Sequence, residues 1–148
     1  MTIPKELPVY FQSFRILVEL LLLYTFREGI IPISATFEGL NFDILMGISA
    51  IPMGYFVFRK KEFNLILAKA WNILGIGMIL FVALIIGTSL YFPALWGNNP
   101  VLINGEFMLF PYVLVPVLLA PMAIFMHIVS LRQLKKQSHP QKAIHITL

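Results

Sequence analysis

Residues 11–26 read FQSFRILVELLLLYTF, an apolar run long enough for a membrane helix that nonetheless carries Gln12, Arg15 and Glu19. At 3.6 residues per turn these three fall on one stripe, while Leu17, Leu20, Leu21 and Leu23 cover the other faces. A charged side chain at bilayer depth costs roughly 3 kcal/mol on insertion scales, so it normally turns to a protein interior, pairs, or reaches back to the interface. The stripe is therefore expected to face other helices of the same protein. That makes the chain a polytopic membrane protein with a polar strip in its interior.

Composition points the same way. Hydrophobic residues make up 59% of the 148 and charged residues 12%, with a mean hydropathy of +0.85; a soluble domain carries about a quarter charged residues, so that class is excluded. The lack of cysteine removes disulfide frameworks, thiolate metal sites and cysteine nucleophiles. The net charge of +4 comes from lysines and arginines in short segments beside the apolar runs, where they orient a membrane chain, and no nucleic-acid partner is expected. Lys5 ahead of an apolar run imitates a secretory signal. The run exceeds the roughly 7–15 residues of a signal core, no good cleavage site follows closely, and three more apolar segments come after it.

Four helices are expected, over residues 8–27, 40–58, 65–92 and 107–131, followed by a basic cytoplasmic tail over 132–148. The fold class is all-α, a single transmembrane domain built as a polytopic four-helix bundle with proline-kinked helices. Pro8 suits a helix start. Between the first two helices the segment ISATFEGLNFD, residues 33–43, reads as a loop or re-entrant shoulder. The second helix holds Pro52 and the small residues Gly47, Ala50 and Gly54, a pattern for close helix contact. The third run is longer than the about 20 residues needed to span, so it should tilt or project. Trp96 fits an interfacial anchor. In the fourth run Pro116 and Pro121 each remove an N–H donor, which should free the carbonyls of Tyr112 and Val117. With both termini in the cytoplasm, Lys5, Arg59, Lys60, Lys61, Arg132, Lys135, Lys136 and Lys142 lie inside and only Arg27 outside, an eight-to-one bias.

Helix rise converts sequence position to depth. Arg15 lies about 10 Å and Glu19 about 16 Å beyond Pro8, Asn72 about 9 Å into the third helix, and His127 about 6 Å from Leu131. Gln12, Arg15, Glu19, Asn72 and His127 are therefore the candidate ligand-binding residues of a polar pocket open toward the cytoplasm. A purely structural account stands beside that one. Arg15 and Glu19, four apart, pair within one helix; His127 caps or lines an interface; Asn72 makes an interhelical hydrogen bond. A second polar group, Arg27, Glu28, Glu38, Asn41 and Asp43 with Asn104 and Glu106, falls on the outer side, where Asp43 suits the N-terminus of the second helix. None of these residues has metal-ligand or cofactor-motif spacing, so no metal and no cofactor is expected.

The combination of FQSFR in the first helix, TFEGLNFD before the second, Trp71-Asn72 in the third, and FPYVLVPVLLAP followed by His127 and LRQL resembles a group of small bacterial membrane proteins over nearly the whole chain. The resemblance implies a stand-alone four-helix protein of the bacterial inner membrane and brings no activity with it. A weaker likeness, of size and helix number, is to DoxX-like proteins. Two classes of function follow from the residues themselves. One is binding or transport of a small molecule, ion or lipid headgroup, with an anionic group or lipid on Arg15. The other is an intramembrane enzyme using Glu19 or His127 as acid or base, which lacks a nucleophile, metal set or cofactor motif. A structural subunit of a membrane complex is a third reading, and a homodimer or such a complex is the partner expected beyond the lipid bilayer.

Overall fold

A computed structural model gives the fold, and residues 4, 6–59, 65–96, 103 and 105–137 are described. Lys5, Lys60, Lys61, Glu62, Asn98, Asn99, Pro100, Asn104 and the tail from residue 138, Lys142 among it, lie outside the described residues. Within the described residues all regular structure is helical. Three helices are long and apolar enough to cross a membrane: Leu7–Arg27, Leu65–Tyr91 and Val115–Lys136.

Helix α1, Leu7–Arg27, is α-helical except over Gln12–Phe14, where it tightens to 3₁₀ geometry. Side chains three apart eclipse in that geometry, so Gln12 and Arg15 leave the helix on one side, and both are buried. The helix ends at Gly29, whose φ of 73° lies in the left-handed region. There the N–H of Gly29 donates to Phe26 O at 2.8 Å and that of Ile30 to Thr25 O at 3.1 Å, a closure that turns the chain back on itself. Residues 30–42 then fold back along α1 instead of running over its end. Ile31 and Ala35 are buried against Leu22, Ile85 and Phe107, and the N–H groups of Leu40 and Asn41 donate to the carbonyls of Ser34 and Thr36, both at 3.2 Å.

Helix α2, Asp43–Arg59, therefore begins partway along α1. It runs antiparallel to it, with Gly47 against Ile16 and Gly54 against the ring of Tyr10; a Cβ would meet Ile16 Cγ1 at 2.9 Å and Tyr10 Cε1 at 2.5 Å. The small residues expected to permit a close approach are thus the ones facing α1. Helix α2, 17 residues over Asp43–Arg59, is shorter than the three helices long enough to cross a membrane.

Helix α3, Leu65–Tyr91, and helix α4, Ala120–Gln137, complete the described helices. The fourth helix was expected over 107–131, and here the structure differs at both ends. Phe107 is fully buried but sits in a 3₁₀ turn, Gly105–Met108, and a wide π turn over Val115–Leu119, containing Pro116, leads into α4. The Tyr112 carbonyl that Pro116 cannot engage is not left free: it accepts from Val115 N at 3.0 Å. At the other end the helix continues through the first basic residues to Gln137, because Leu134 is buried against Ala68 of α3 and Lys135 and Lys136 suit a helix C-terminus. Trp96 turns back on α3, its indole N–H donating to Thr88 Oγ1 at 3.2 Å. Leu22, Ile31, Ile85, Phe107 and Val115 form one apolar cluster, and Val9, Met46, Ala50 and Trp71 another nearer the N-terminus of α1. Between the two lies a layer of polar side chains.

Candidate functional site

Gln12, Arg15, Glu19, Asn41, Asn72 and His127 are each 1% exposed or less. Such groups are tolerated inside an apolar protein only when their hydrogen bonds are made, and the contacts account for nearly all of them. Arg15 is the hub. Its Nε donates to Asp43 Oδ2 at 2.6 Å, and its Nη2 is ion-paired with Asp43 Oδ1. Nη2 also donates to Gly75 O at 3.3 Å, and Nη1 meets His127 Nε2 at 3.0 Å. A guanidinium only donates, so Nε2 of His127 is the acceptor and Nδ1 carries the proton; Nδ1 then donates to Asn72 Oδ1 at 3.0 Å. Asn72 Nδ2 in turn donates to Ala68 O at 2.8 Å. One chain of hydrogen bonds thus assigns the tautomer of His127 and the amide orientation of Asn72.

The sequence led us to expect Arg15 to pair with Glu19, and the structure corrects this. Arg15 takes Asp43, in a buried ion pair that includes a charge-assisted hydrogen bond from Nε to Oδ2. Glu19 is held instead by Asn41, whose Nδ2 donates to Oε1 at 2.8 Å and Oε2 at 2.9 Å and also to Ala35 O at 3.1 Å. Asn41 Oδ1 accepts from Asp43 N at 2.9 Å, so one asparagine both ties down Glu19 and caps the start of α2. The arrangement depends on residues 30–42 folding inward, which carries Asn41 and Asp43 to Arg15 and Glu19. The expected outer group accordingly divides: Asn41 and Asp43 belong to the buried cluster, whereas Arg27, Glu28 and Glu38 are exposed.

Of the five residues singled out from sequence, Arg15, His127 and Asn72 form one bonded chain, and Glu19 joins it through Asn41 and Asp43. Gln12 stands apart. Its Nε2 donates to Ala123 O at 3.0 Å, fastening α1 to α4, while Oε1 is buried without a hydrogen-bond partner. Asn41 and Asp43 were missed as members of this cluster. The available signal was the Asn-x-Asp at the head of the second apolar run, which reads equally as an exposed cap and as a pair of buried partners for the polar stripe of α1.

A cavity of about 300 Å³ adjoins the cluster, lined by residues of α1, the start of α2, α3, α4, the 3₁₀ turn at Met108 and the π turn. Arg15, Glu19 and Asp43 line it, and Val18, Ile79, Ile86, Val115 and Leu119 give it apolar walls. It reaches Leu90, Tyr91 and Met108, so it extends toward the C-terminal end of α3, where Tyr91 and Met108 are exposed. A pocket open toward the cytoplasm was expected. The cavity extends toward the C-terminal ends of α1 and α3, and Gln12, Asn72 and His127 do not line it. On the other side of Arg15 the helices close on one another, with Gly47 against Ile16, Gly54 against Tyr10 and Gly75 against His127. Among the described residues no group of three or more acidic or histidine side chains is placed to hold a metal ion. Comparison with protein-family models, with curated proteins and with solved structures gives no match to this chain.

Proposed function

We propose that this is an integral membrane protein that binds or carries a small, partly apolar molecule, seated in the cavity with its polar head at Arg15, Glu19 and Asp43. The observation carrying this is the make-up of that cavity. It has the size of a small-molecule site, apolar walls and a few polar groups gathered at one end, the pattern by which ligand pockets orient what they bind. In the same proposal the chain is a four-pass helical bundle of a bacterial inner membrane with both termini in the cytoplasm, related to the small bacterial proteins its motifs resemble. The eight-to-one distribution of basic residues supports that topology. The antiparallel run of α2 along α1, and of α4 along α3 through the Ala68–Leu134 and Gly75–His127 contacts, supports it too. An enzyme using His127 as acid or base is less favoured, because both of its ring nitrogens are already engaged, by Arg15 and Asn72.

Two experiments test this. Gly87 lines the cavity, and a Cβ added there meets nothing within 4 Å. Gly87→Leu should therefore fold at least as stably as the parent, gaining up to about 1 kcal/mol of helix propensity, while filling the space a ligand would use. Uptake of a hydrophobic probe such as n-decanol, followed by its shift of Tm in uncharged detergent, should be lost in this variant. An undiminished shift would remove the cavity from consideration. For topology, single cysteines at Lys136 and at Leu95, which is 72% exposed, should differ in intact cells. An impermeant maleimide should label the second and spare the first, and the opposite pattern would reverse the orientation.

A further inference from the structure

Cavity-end charges do not balance, and the hydrogen-bond inventory shows which kind of head they would accept. The cluster contains one guanidinium and two carboxylates. Each nitrogen of Arg15 already has a hydrogen-bond partner, Nε in Asp43, Nη1 in His127 and Nη2 in Gly75 O, and the charge is paired with Asp43. An anion arriving in the cavity would compete with Asp43 for the guanidinium and meet the carboxylate of Glu19 beside it. Glu19 is in the opposite condition. Both of its oxygens rest on one nitrogen of Asn41, no cation pairs with it among the described residues, and a carboxylate has about four acceptor positions to fill. The unmet capacity on the cavity wall is for donors and for positive charge.

Resting on the cavity reading above, we infer that the site takes a single-chain cationic amphiphile, with a protonated amine on Glu19 and its chain along the apolar wall toward Leu90. The cavity follows α3 from Ile79 to Tyr91, about 18 Å at the helical rise. Its volume of about 300 Å³ suits one alkyl chain rather than a two-chain lipid. An ammonium placed there gives a buried carboxylate, hydrogen-bonded by Asn41 Nδ2, an ion pair with charge-assisted hydrogen bonds. The anion expected on Arg15 from sequence would have to compete with Asp43 for the guanidinium.

The test compares n-decylamine, n-decanol and decanoate at equal concentration and neutral pH, read as the Tm shift of the purified full-length protein in uncharged detergent. Decylamine should bind roughly tenfold more tightly than decanol, the equivalent of about 1.4 kcal/mol, with decanoate weakest. Glu19→Gln should erase the preference for the amine while keeping the decanol shift. Decanol or decanoate binding the parent as tightly as decylamine, with Gly87→Leu abolishing the shift, would overturn the charge inference and leave the cavity reading standing. No shift with any of the three, or shifts that Gly87→Leu leaves intact, would overturn both. An amine preference that survives Glu19→Gln would overturn the assignment to Glu19. Should that variant not fold, the ranking of the three probes on the parent and on Gly87→Leu still decides the matter.

Discussion

Arg15→Leu is expected to lower the stability of the purified protein by about 3–5 kcal/mol, because it leaves the Asp43 carboxylate buried without its cation and strips His127 and Gly75 O of a donor. Asp43→Leu should cost a similar amount for the converse reason. The double substitution should cost much less than the sum, since an apolar pair of similar volume often replaces a buried ion pair at little net loss. Unfolding of the four proteins in detergent, followed by circular dichroism, gives the coupling. The matching cycle with Glu19→Leu is the discriminating control, because Glu19 is held by Asn41 and not by the guanidinium. Coupling of Arg15 to Glu19 as large as that to Asp43 would show that the pairing described here is wrong.

Gly75→Ala is expected to be costly where Gly77→Ala, one half-turn on, is neutral or stabilising by up to about 1 kcal/mol. A methyl group at Gly75 would overlap Cε1 and Nε2 of His127 and come within 2.9 Å of Met46 Cε, whereas at Gly77 it meets nothing within 4 Å. His127 is fixed by Arg15 on one side and Asn72 on the other, so it cannot swing aside without breaking a buried hydrogen bond. The loss should be about 1–3 kcal/mol, the range for overpacking a tight core. Trp71 stacks edge-on against the His127 ring at 5.4 Å between centroids, so its fluorescence should report the displacement. Equal stability of the two alanine variants would mean that α3 and α4 are farther apart at Gly75 than described.

Much of the candidate site is legible along the chain because charge inside an apolar run is conspicuous. Arg15 and Glu19 mark themselves in this way, and the helical period alone brings Gln12 to the same stripe. Asn72 and His127 follow from depth, since two antiparallel helices whose polar residues sit at similar distances from one surface present them at one level. Partner choice does not follow from either consideration. A residue four positions away on the same helix is always a candidate for pairing, and nothing in the local pattern says that Asp43, 28 positions on, will be closer.

Sequence by itself determined the helical class, the apolar exterior and the interior placement of the polar stripe, since each comes from the cost of exposing charge or backbone to hydrocarbon, which acts at every residue independently. Tertiary structure decided where the chain between α1 and α2 goes. The turn at Gly29 sends it inward, Ile31 and Ala35 bury themselves against Leu22 and Phe107, and α2 starts beside Glu19 instead of at the end of α1. That one excursion carries Asn41 and Asp43 to the centre, redirects Arg15 from its helical neighbour, and leaves Glu19 facing the cavity with acceptor capacity to spare. Its cause is a sum of contacts among segments distant in the chain, and no local period or propensity records such a sum.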